Sequence, residues 1–434
     1  MLRVTLDLTL CHMHAVCYAE KESLEQGSTV EFDPRLFEFN EDEKAELRAR
    51  HAAAQAMLSP YACRDADGIR EFTKRYEDPD VYLGRPCFVV DVEKIVHNPF
   101  YSRCADKTQV FSLVRNDDIT RRSFHLQVVS RVGRTIGMAL GLNLDLIEAI
   151  AVGHDLGHTP FGHQGEDYLS DLYHASTGRY FNHNVHSVRL LKTIARTNLC
   201  LQTYNGILTH CGEKTFLEYR PAPCPDFDAL NSLIESCYID QSNIRDLRPS
   251  TLEGCVVRIS DIIAYLGKDR QDAARIKLLE TGDYEESPIV GTLNHQIIQN
   301  LTRNIIKNSL GHDYLAMDEE VFAAVDAMRK ENYEKIYKSE EVAGRITFVQ
   351  PMMERMFATF VDDIRMGREE SPIFRHYLDQ PMLHYPYSFE LEFRPEDIAV
   401  DYIASMTDDY FVDLYAFLFP DDPLNEEVRY KNYF

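Results

Sequence analysis

The stretch from Gly153 to Asp167, GHDLGHTPFGHQGED, carries His154, Asp155, His158, His163 and Glu166 within thirteen residues. Each of these side chains can ligate a metal ion or carry a proton, and the glycines between them let the backbone turn tightly. An apolar helical pattern beginning at Asp145-Leu-Ile-Glu-Ala-Ile-Ala-Val runs into it, so His154 and Asp155 stand where that helix ends. An ionised aspartate beside such a helix is costly unless something pairs with it. A divalent cation is one partner; a buried hydrogen-bond network is another.

Two further segments offer ligands. His125 lies on a helix opened by Arg121-Arg-Ser-Phe-His, and Asp261 on a later helix among Val256, Val257, Ile259, Ile262 and Ile263. A carboxylate in that apolar company calls for a counter-charge or a metal. His125, His154, Asp155 and Asp261 together give two imidazoles and two carboxylates. That set suits magnesium, manganese or another first-row transition ion, with positions left for water and substrate. Taken singly, each has a plainer explanation as a helix-surface or capping residue. A histidine–aspartate dipeptide alone arises easily by chance, but the full string from His154 to Glu166 does not.

The elements that must hold these residues read as helices. The chain has 434 residues, 44% of them hydrophobic and 27% charged, which describes a soluble globular protein with a sizeable core. Helical periodicity starts near Asp42, and a second helix is expected over Asp65 to Tyr76. Pro79 to Pro99 reads as loop around a short apolar piece at Cys87-Phe-Val-Val. In the helix bearing His125, Phe124, Val128, Val132 and Ile136 form the expected apolar stripe, with His125 and Val129 at its edge and Gly141 at its end. A helix is expected over Val185 to Arg196, a loop or short turn from Gly206 to Glu213, and the longest helix over Thr251 to Leu279. The expected class is mainly all-α with a small N-terminal β extension, because Arg3 to Leu10 alternates as a strand does. Residues 1–40 are expected to be an extension, 41–290 a catalytic core and 291–434 a C-terminal helical region.

Net charge is -24, which disfavours nucleic acid and anionic membranes as partners while leaving room for a small anion in a locally positive site. The ten cysteines show no CxxC pairing and resemble reduced cytosolic cysteines. Cys11, His12, His14 and Cys17 lack the second ligand pair of a structural zinc site. The N-terminus shows no signal peptide and no run of 18 apolar residues spans a membrane, so the expected location is the cytoplasm.

His125, His154-Asp155 and Asp261, in that order, resemble the H…HD…D signature of HD-domain phosphohydrolases. Within that superfamily the chain looks like the deoxynucleoside triphosphate triphosphohydrolases, the dGTPase-like branch related to the eukaryotic SAM-and-HD dNTPase. The likeness rests on Leu58-Ser-Pro-Tyr-Ala-Cys-Arg, Asp106-Lys-Thr-Gln-Val-Phe, the central string, Phe181-Asn-His-Asn, Ile262-Ile-Ala-Tyr-Leu-Gly-Lys-Asp and Asp401-Tyr-Ile-Ala-Ser-Met-Thr-Asp. It covers about residues 57–280 and touches 395–417. It implies a helical HD fold, a divalent metal, and hydrolysis of dNTPs, dGTP or several of them, to deoxynucleoside and inorganic triphosphate.

The resemblance also implies roles. His163 is the proton carrier, Glu166 holds its orientation and charge, and His183 acts with it or binds a phosphate. Arg122, one helical turn before His125, is the phosphate-binding arginine; Tyr265 stacks under the deoxyribose, Asp269 accepts from its 3′ hydroxyl, and Gln109 is a sugar or base contact. Asp261, Tyr265 and Asp269 do share one row of a helix by their spacing. The plainer alternatives are a capping role for His163, a solvated charge for Arg122, and a core tyrosine with a surface aspartate paired to Lys268 or Arg270. His158 braces the turn, and His210 lies near the site or is structural. His186 is a departure, since relatives carry glutamine there. The relatives' basic string before Lys107 and their Met-Thr-Asp-Arg-Tyr stretch are both less basic here, which puts in doubt a regulatory nucleotide or DNA site built from them. The relatives imply a homo-oligomer, tetramer or hexamer, with room for a nucleotide effector. Two alternatives remain open: an HD phosphohydrolase or phosphodiesterase of another nucleotide, and a non-catalytic nucleotide sensor.

Overall fold

The computed structural model describes residues 38–72, 85–211, 214–379 and 393–432, and the chain divides into two compact units, residues 1–50 and 51–434. The strand expected at residues 3–10 and the Cys11–Cys17 cluster lie outside the described residues. The described residues are mainly helical, as the pattern predicts. The α-helices of seven residues or more among the described residues are α1 (Glu41–Ala56), α2 (Cys87–Val96), α3 (Arg122–Leu140), α4 (Leu144–Gly153), α5 (Gly162–Thr177), α6 (His183–Arg189), α7 (Leu201–Leu208), α8 (Phe227–Ile239), α9 (Leu252–Arg275), α10 (Asn294–Ser309), α11 (Glu319–Asn332), α12 (Val349–Met366), α13 (Pro395–Ala404) and α14 (Asp408–Leu418). Two-residue strands at Glu218–Tyr219 and Leu315–Ala316 pair antiparallel, Glu218 opposite Ala316.

The centre of the larger unit is α3 packed against both α4 and α9, with α9 also lying on α7, α10 and α11. Local chemistry fixes the ends of these helices. The Asn143 side chain accepts from the amides of Asp145 and Leu146 at the start of α4, and Thr251 Oγ1 accepts from Gly254 at the start of α9. The left-handed Gly141 (φ 69°) closes α3. One apolar cluster runs from α2 to α14, and a smaller one joins Phe111, Val114 and Ile119 to Ala273 and Ile276 at the end of α9 and to Ile336.

Four local expectations need correction. Phe124 is 53% exposed and Val128 only half-buried, whereas His125, Leu126, Val129, Val132 and Ile136 are buried. A helix turns once per 3.6 residues, so steps of four drift off a straight face, and His125 sits inside rather than at the edge. The described part of Asp65 to Tyr76 holds only a short turn at Asp65–Asp67, followed by a bridge from Arg70 to Cys200. The ion pair of Arg70 with Asp91 at 2.9 Å and the Phe72 amide bond to Asn198 override its helical propensity. Cys87 opens helix α2, which buries Phe88, Val90 and Ile95. Gly206 lies inside α7 rather than in a loop: a Cβ there would stand 2.3 Å from Ile150 Cδ1, so the glycine serves close packing of α7 on α4.

Candidate active site

α4 ends at Gly153 and hands the chain to the turn that carries His154, Asp155 and His158. Ser187 Oγ on α6 donates to the His154 carbonyl at 2.6 Å and accepts from the Gly157 amide at 2.9 Å, which pins the turn to α6. The approach is so close that a Cβ on Gly157 would meet Ser187 N at 2.3 Å and His183 O at 2.5 Å. Lys107 reaches the other side of the turn. Its Nζ donates to the carbonyls of His158 and, at 2.7 Å, Ala404, and burial lowers its pKa to about 7. Phe161 and Gly162 both adopt left-handed conformations (φ 63° and 58°), and the Phe161 amide donates to Asp408 Oδ1 at 3.0 Å. That reversal starts α5 with His163 at its second residue.

Four predicted ligands converge on the turn. His125 Nε2 lies 2.9 Å from Asp261 Oδ1, and His154 Nε2 lies 3.5 Å from Asp155 Oδ1 and 3.9 Å from Asp261 Oδ1. His154 Nδ1 donates to the Ala151 carbonyl at 2.8 Å, so its neutral ring carries the lone pair on Nε2. That Nε2 is buried with no hydrogen-bond partner. Burial also drops the His154 pKa to about 4, with the nearby carboxylates opposing, which keeps the ring neutral as a ligand must be. Burial opposes charge on Asp155 as well, but the imidazoles of His154 and His158 and the Arg122 guanidinium hold its carboxyl well below the usual range. Asp261 is held down likewise, chiefly by its hydrogen bond to His125 acting against burial. A neutral imidazole with an unsatisfied nitrogen facing two ionised carboxylates is a donor set that a divalent ion fits.

The residues expected to handle protons adjoin it. His163 is 60% exposed at its side chain and sets Nδ1 3.3 Å from Glu166 Oε2. Glu166 is buried; its Oε1 accepts from the His183 amide at 2.7 Å, and both its oxygens lie within 2.9 Å of His183 Nδ1. Burial would raise its pKa, but His183 and His163 outweigh that and hold the carboxylate ionised. The His158 ring stacks on His183, centroids 3.8 Å apart. His183 Nε2 faces His210 Nε2 at 3.2 Å.

Arg122 is 1% exposed, ion-paired with Asp155 and donating to the Thr108 carbonyl at 3.2 Å. The structure therefore places its guanidinium on a carboxylate rather than in solvent. Gln109 lies in the same corner: a Cβ on Gly162 would be 3.5 Å from its carbonyl oxygen and 3.8 Å from Arg122 Nη2, and Gln109 Oε1 is buried and unpartnered. Along α9, Tyr265 Oη accepts from Arg329 Nε at 3.2 Å, and Tyr337 Oη donates to Asp269 Oδ2 at 2.6 Å. Asp269 is 3% exposed, and burial, with Asp272 nearby, pushes its pKa up to about 7 against the Tyr337 bond. Lys268 pairs with Asp272 and Arg270 with Glu331, so neither takes Asp269. His186 neighbours Asp401 at 3.6 Å and the Phe181 ring, on the side of α6 where Arg189 grips Asp401 with two 2.7 Å bonds.

Three groups among the described residues could hold an ion: His125 with His154 and Asp155; Asp155 with His183 and His210; and His158 with His163, Glu166 and His183. Arg329 and Tyr337 were missed by sequence reasoning, because no motif surrounds them. Lys107 lay in a motif whose lysine had no evident task until its two carbonyl partners were seen.

The HD domain model matches residues 122–266, the span from Arg122 through Leu266 that bears every predicted metal ligand. A phosphohydrolase-associated domain model matches residues 315–416. A deoxyguanosinetriphosphate triphosphohydrolase-like protein of Caldanaerobacter subterraneus subsp. tengcongensis is 32% identical over 384 residues, covering 86% of this chain and 95% of the relative. Relatives of the same description from Clostridium perfringens and Clostridium tetani are 31% and 30% identical, covering 78% and 85% of this chain and 87% and 95% of theirs. A solved phosphohydrolase from Bacteroides thetaiotaomicron is 16% identical with a TM-score of 0.40 over 77% of this chain and 71% of its own, too distant a likeness to add to the placement. The chain is an HD-domain phosphohydrolase and belongs to the deoxyguanosinetriphosphate triphosphohydrolase-like family.

Proposed function

We propose that the protein hydrolyses deoxynucleoside triphosphates to deoxynucleoside and inorganic triphosphate. The observation that carries this reading is the row on α9, where half-buried Tyr265 and buried Asp269 follow Asp261 and are held by Arg329 and Tyr337. A sugar laid along that row has its reacting end at the ligand cluster and its 3′ hydroxyl at Asp269.

His125, His154, Asp155 and Asp261 would hold a divalent metal, which supplies charge for activating water and neutralising phosphate. In the reaction, water oxygen bonds to the α-phosphorus and gives up a proton to solvent, the bond from phosphorus to the 5′ oxygen breaks, and the 5′ oxygen takes a proton in turn. His163 delivers that proton. Its Nδ1 is fixed on Glu166, which leaves Nε2 as the nitrogen turned to the substrate, and the ionised Glu166 stabilises the imidazolium before transfer. His183 shares Glu166 and keeps that carboxylate in place. Arg122 positions Asp155 and offsets its charge at the ligand end, and the Arg329 guanidinium is held beside Tyr265. Tyr265 excludes a 2′ hydroxyl by stacking under the sugar, and Gln109, with its unpartnered Oε1, is the remaining contact for sugar or base. The physiological setting we infer is cytoplasmic, in a homo-oligomer, with a nucleotide effector as a further ligand; no helix among the described residues is long and apolar enough to cross a membrane.

The test is product analysis. Incubating the protein with each dNTP, with dNTP mixtures and with GTP, in Mg²⁺ or Mn²⁺, and separating products by ion-pair chromatography is expected to give deoxynucleoside and triphosphate from dNTPs and nothing from GTP. Orthophosphate or pyrophosphate as the only phosphate product would replace this reading with another HD phosphohydrolase activity.

A further inference from the structure

Two cysteines far apart in the sequence meet where α2 and α7 begin. Cys87 is the first residue of α2, and Cys200 is the residue that caps the start of α7. Gly68, from a third segment, faces both sulfurs: a Cβ there would stand 2.7 Å from Cys87 Sγ and 3.3 Å from Cys200 Sγ. At φ −65° the Gly68 backbone suits any residue, so it is the sulfur pair that occupies the side chain's space. The Cys200 thiol is hydrogen-bonded to Cys87. Cys87 Sγ itself donates to the Asp65 carbonyl at 3.3 Å, so within the pair Cys200 is the donor. That bond, burial and the Asp91 carboxylate all push the Cys200 thiol up and keep it protonated. Cys63, a third thiol in this corner, is turned to the Arg64 carbonyl at 3.8 Å instead.

We propose that Cys87 and Cys200 are a site of reversible disulfide formation, oxidised by a low-molecular-weight disulfide such as oxidised glutathione. Cys87 is half-buried and Cys200 fully buried, so Cys87 is the sulfur that the oxidant reaches. Cys87 gives its proton to solvent and its sulfur bonds to one sulfur of the reagent. The reagent's S–S bond breaks, and the first small thiol leaves, taking a proton from solvent. Cys200 Sγ then bonds to Cys87 Sγ, and the second small thiol leaves with the Cys200 proton. The two protein thiols lose two electrons, and the reagent is reduced to two thiols. Sulfurs already joined by a hydrogen bond need little backbone movement to close to the S–S length of about 2.05 Å. The cross-link ties the start of α2 to the start of α7, and both helices pack on α4, which leads into the central turn. It also closes a covalent loop around α3 to α6, the stretch that carries His125, His154, Asp155, His163 and His183.

The test uses the full chain with neither metal nor nucleotide, so its outcome is independent of the dNTP reading. Reduced protein is equilibrated natively in glutathione buffers of rising oxidised fraction, quenched in acid, unfolded, alkylated and mapped by peptide mass spectrometry. In the unaltered protein the peptides bearing Cys87 and Cys200 are expected to merge into one cross-linked species, lighter by the two thiol hydrogens. Dithiothreitol should return both as free thiols. Cys200→Ser, its fold checked by circular dichroism, is expected to stop at the mixed disulfide of Cys87 with glutathione. Free Cys87 and Cys200 in the most oxidising buffer would overturn the proposal. A Cys87–glutathione adduct that persists in the unaltered protein, or a Cys63–Cys87 link in place of the expected one, would overturn it too. None of these three readings needs a variant to fold.

Discussion

The two ends of the site are built on opposite terms. At the ligand end, buried polar atoms are left unsatisfied: His154 Nε2, His158 Nδ1, Arg122 Nε and Gln109 Oε1 have no hydrogen-bond partner. At the far end of the α9 row, Tyr265 and Asp269 are already bonded to Arg329 and Tyr337. An unmade hydrogen bond in a buried place costs about 1–3 kcal/mol, so the ligand end stores a cost that a bound cation or substrate relieves. The row lowers its own cost by recruiting side chains from residues 319–337. Substitutions at the two ends should therefore fail differently: the ligand end loses chemistry and keeps its fold, whereas the row loses affinity and alters stability.

The largest effect is expected from Asp261→Asn. The amide keeps the shape and can still bond His125, but it removes a ligand charge. Turnover in the product assay should fall by about 10³-fold or more, with loss of bound metal and a stability change within about 1 kcal/mol. A drop in Tm as large as that of a core truncation would erase the contrast between the two ends. His163→Ala comes next. An exposed general acid contributes about 10²–10⁴ in rate, so kcat should fall by that factor while metal content and Tm stay as they were. Loss of metal along with the rate would move His163 from proton transfer to ligation.

The same contrast explains what was legible in the sequence. The ligand end lies in one dense string, and its residue types carry their chemistry wherever they stand, so His154, Asp155, His163 and Glu166 could be picked out before any fold was known. His125 was found as well, although the helix face was assigned one position off; the direction of a helix face depends on its neighbours, which a one-dimensional stripe does not record. The partners of the row could not be found. Arg329 and Tyr337 are 64 and 68 residues from the side chains they bond. Tyr337 reaches Asp269 because α11 continues into a wider turn over Tyr333–Tyr337, anchored by Ile336 in the small second core. Nothing in the local composition announces that geometry. Lys107 shows the intermediate case, a motif residue whose reason, two carbonyls from the turn and from α13, is purely tertiary.

Asp269 sharpens the contrast from the other side. Its carboxyl has an ordinary pKa of 3.8 and is raised to about 7 by burial. Between those values the folded chain keeps a proton that the unfolded chain has released. This contribution to stability is fully present below pH 3.8 and is lost as pH rises through about 7. Asp269→Asn carries no such proton, so its Tm should gain on the unaltered protein as pH rises from 4 to 8. Its KM for a dNTP should meanwhile rise by about 10- to 100-fold, the loss of one charge-assisted hydrogen bond to the sugar, with kcat little changed. Parallel Tm curves would mean that Asp269 is ionised throughout and the row is not the satisfied end described above.

Tyr337→Phe is the mildest change and the most specific. It deletes only the hydroxyl that donates to Asp269, a bond whose effect is to lower the carboxyl's pKa against burial. Without it the proton should be held to higher pH, because the ionised form has lost a donor while the buried cavity is unchanged. The pH at which KM improves should therefore move upward from about 7, with a stability loss of about 1 kcal/mol at pH 8 and less at pH 5, where the carboxyl is protonated and needs the donor less. The sign of that pH shift is what matters. A downward shift would mean that Tyr337 stabilises the protonated carboxyl, as an acceptor rather than a donor, and the row would then present Asp269 to a sugar already committed to the tyrosine.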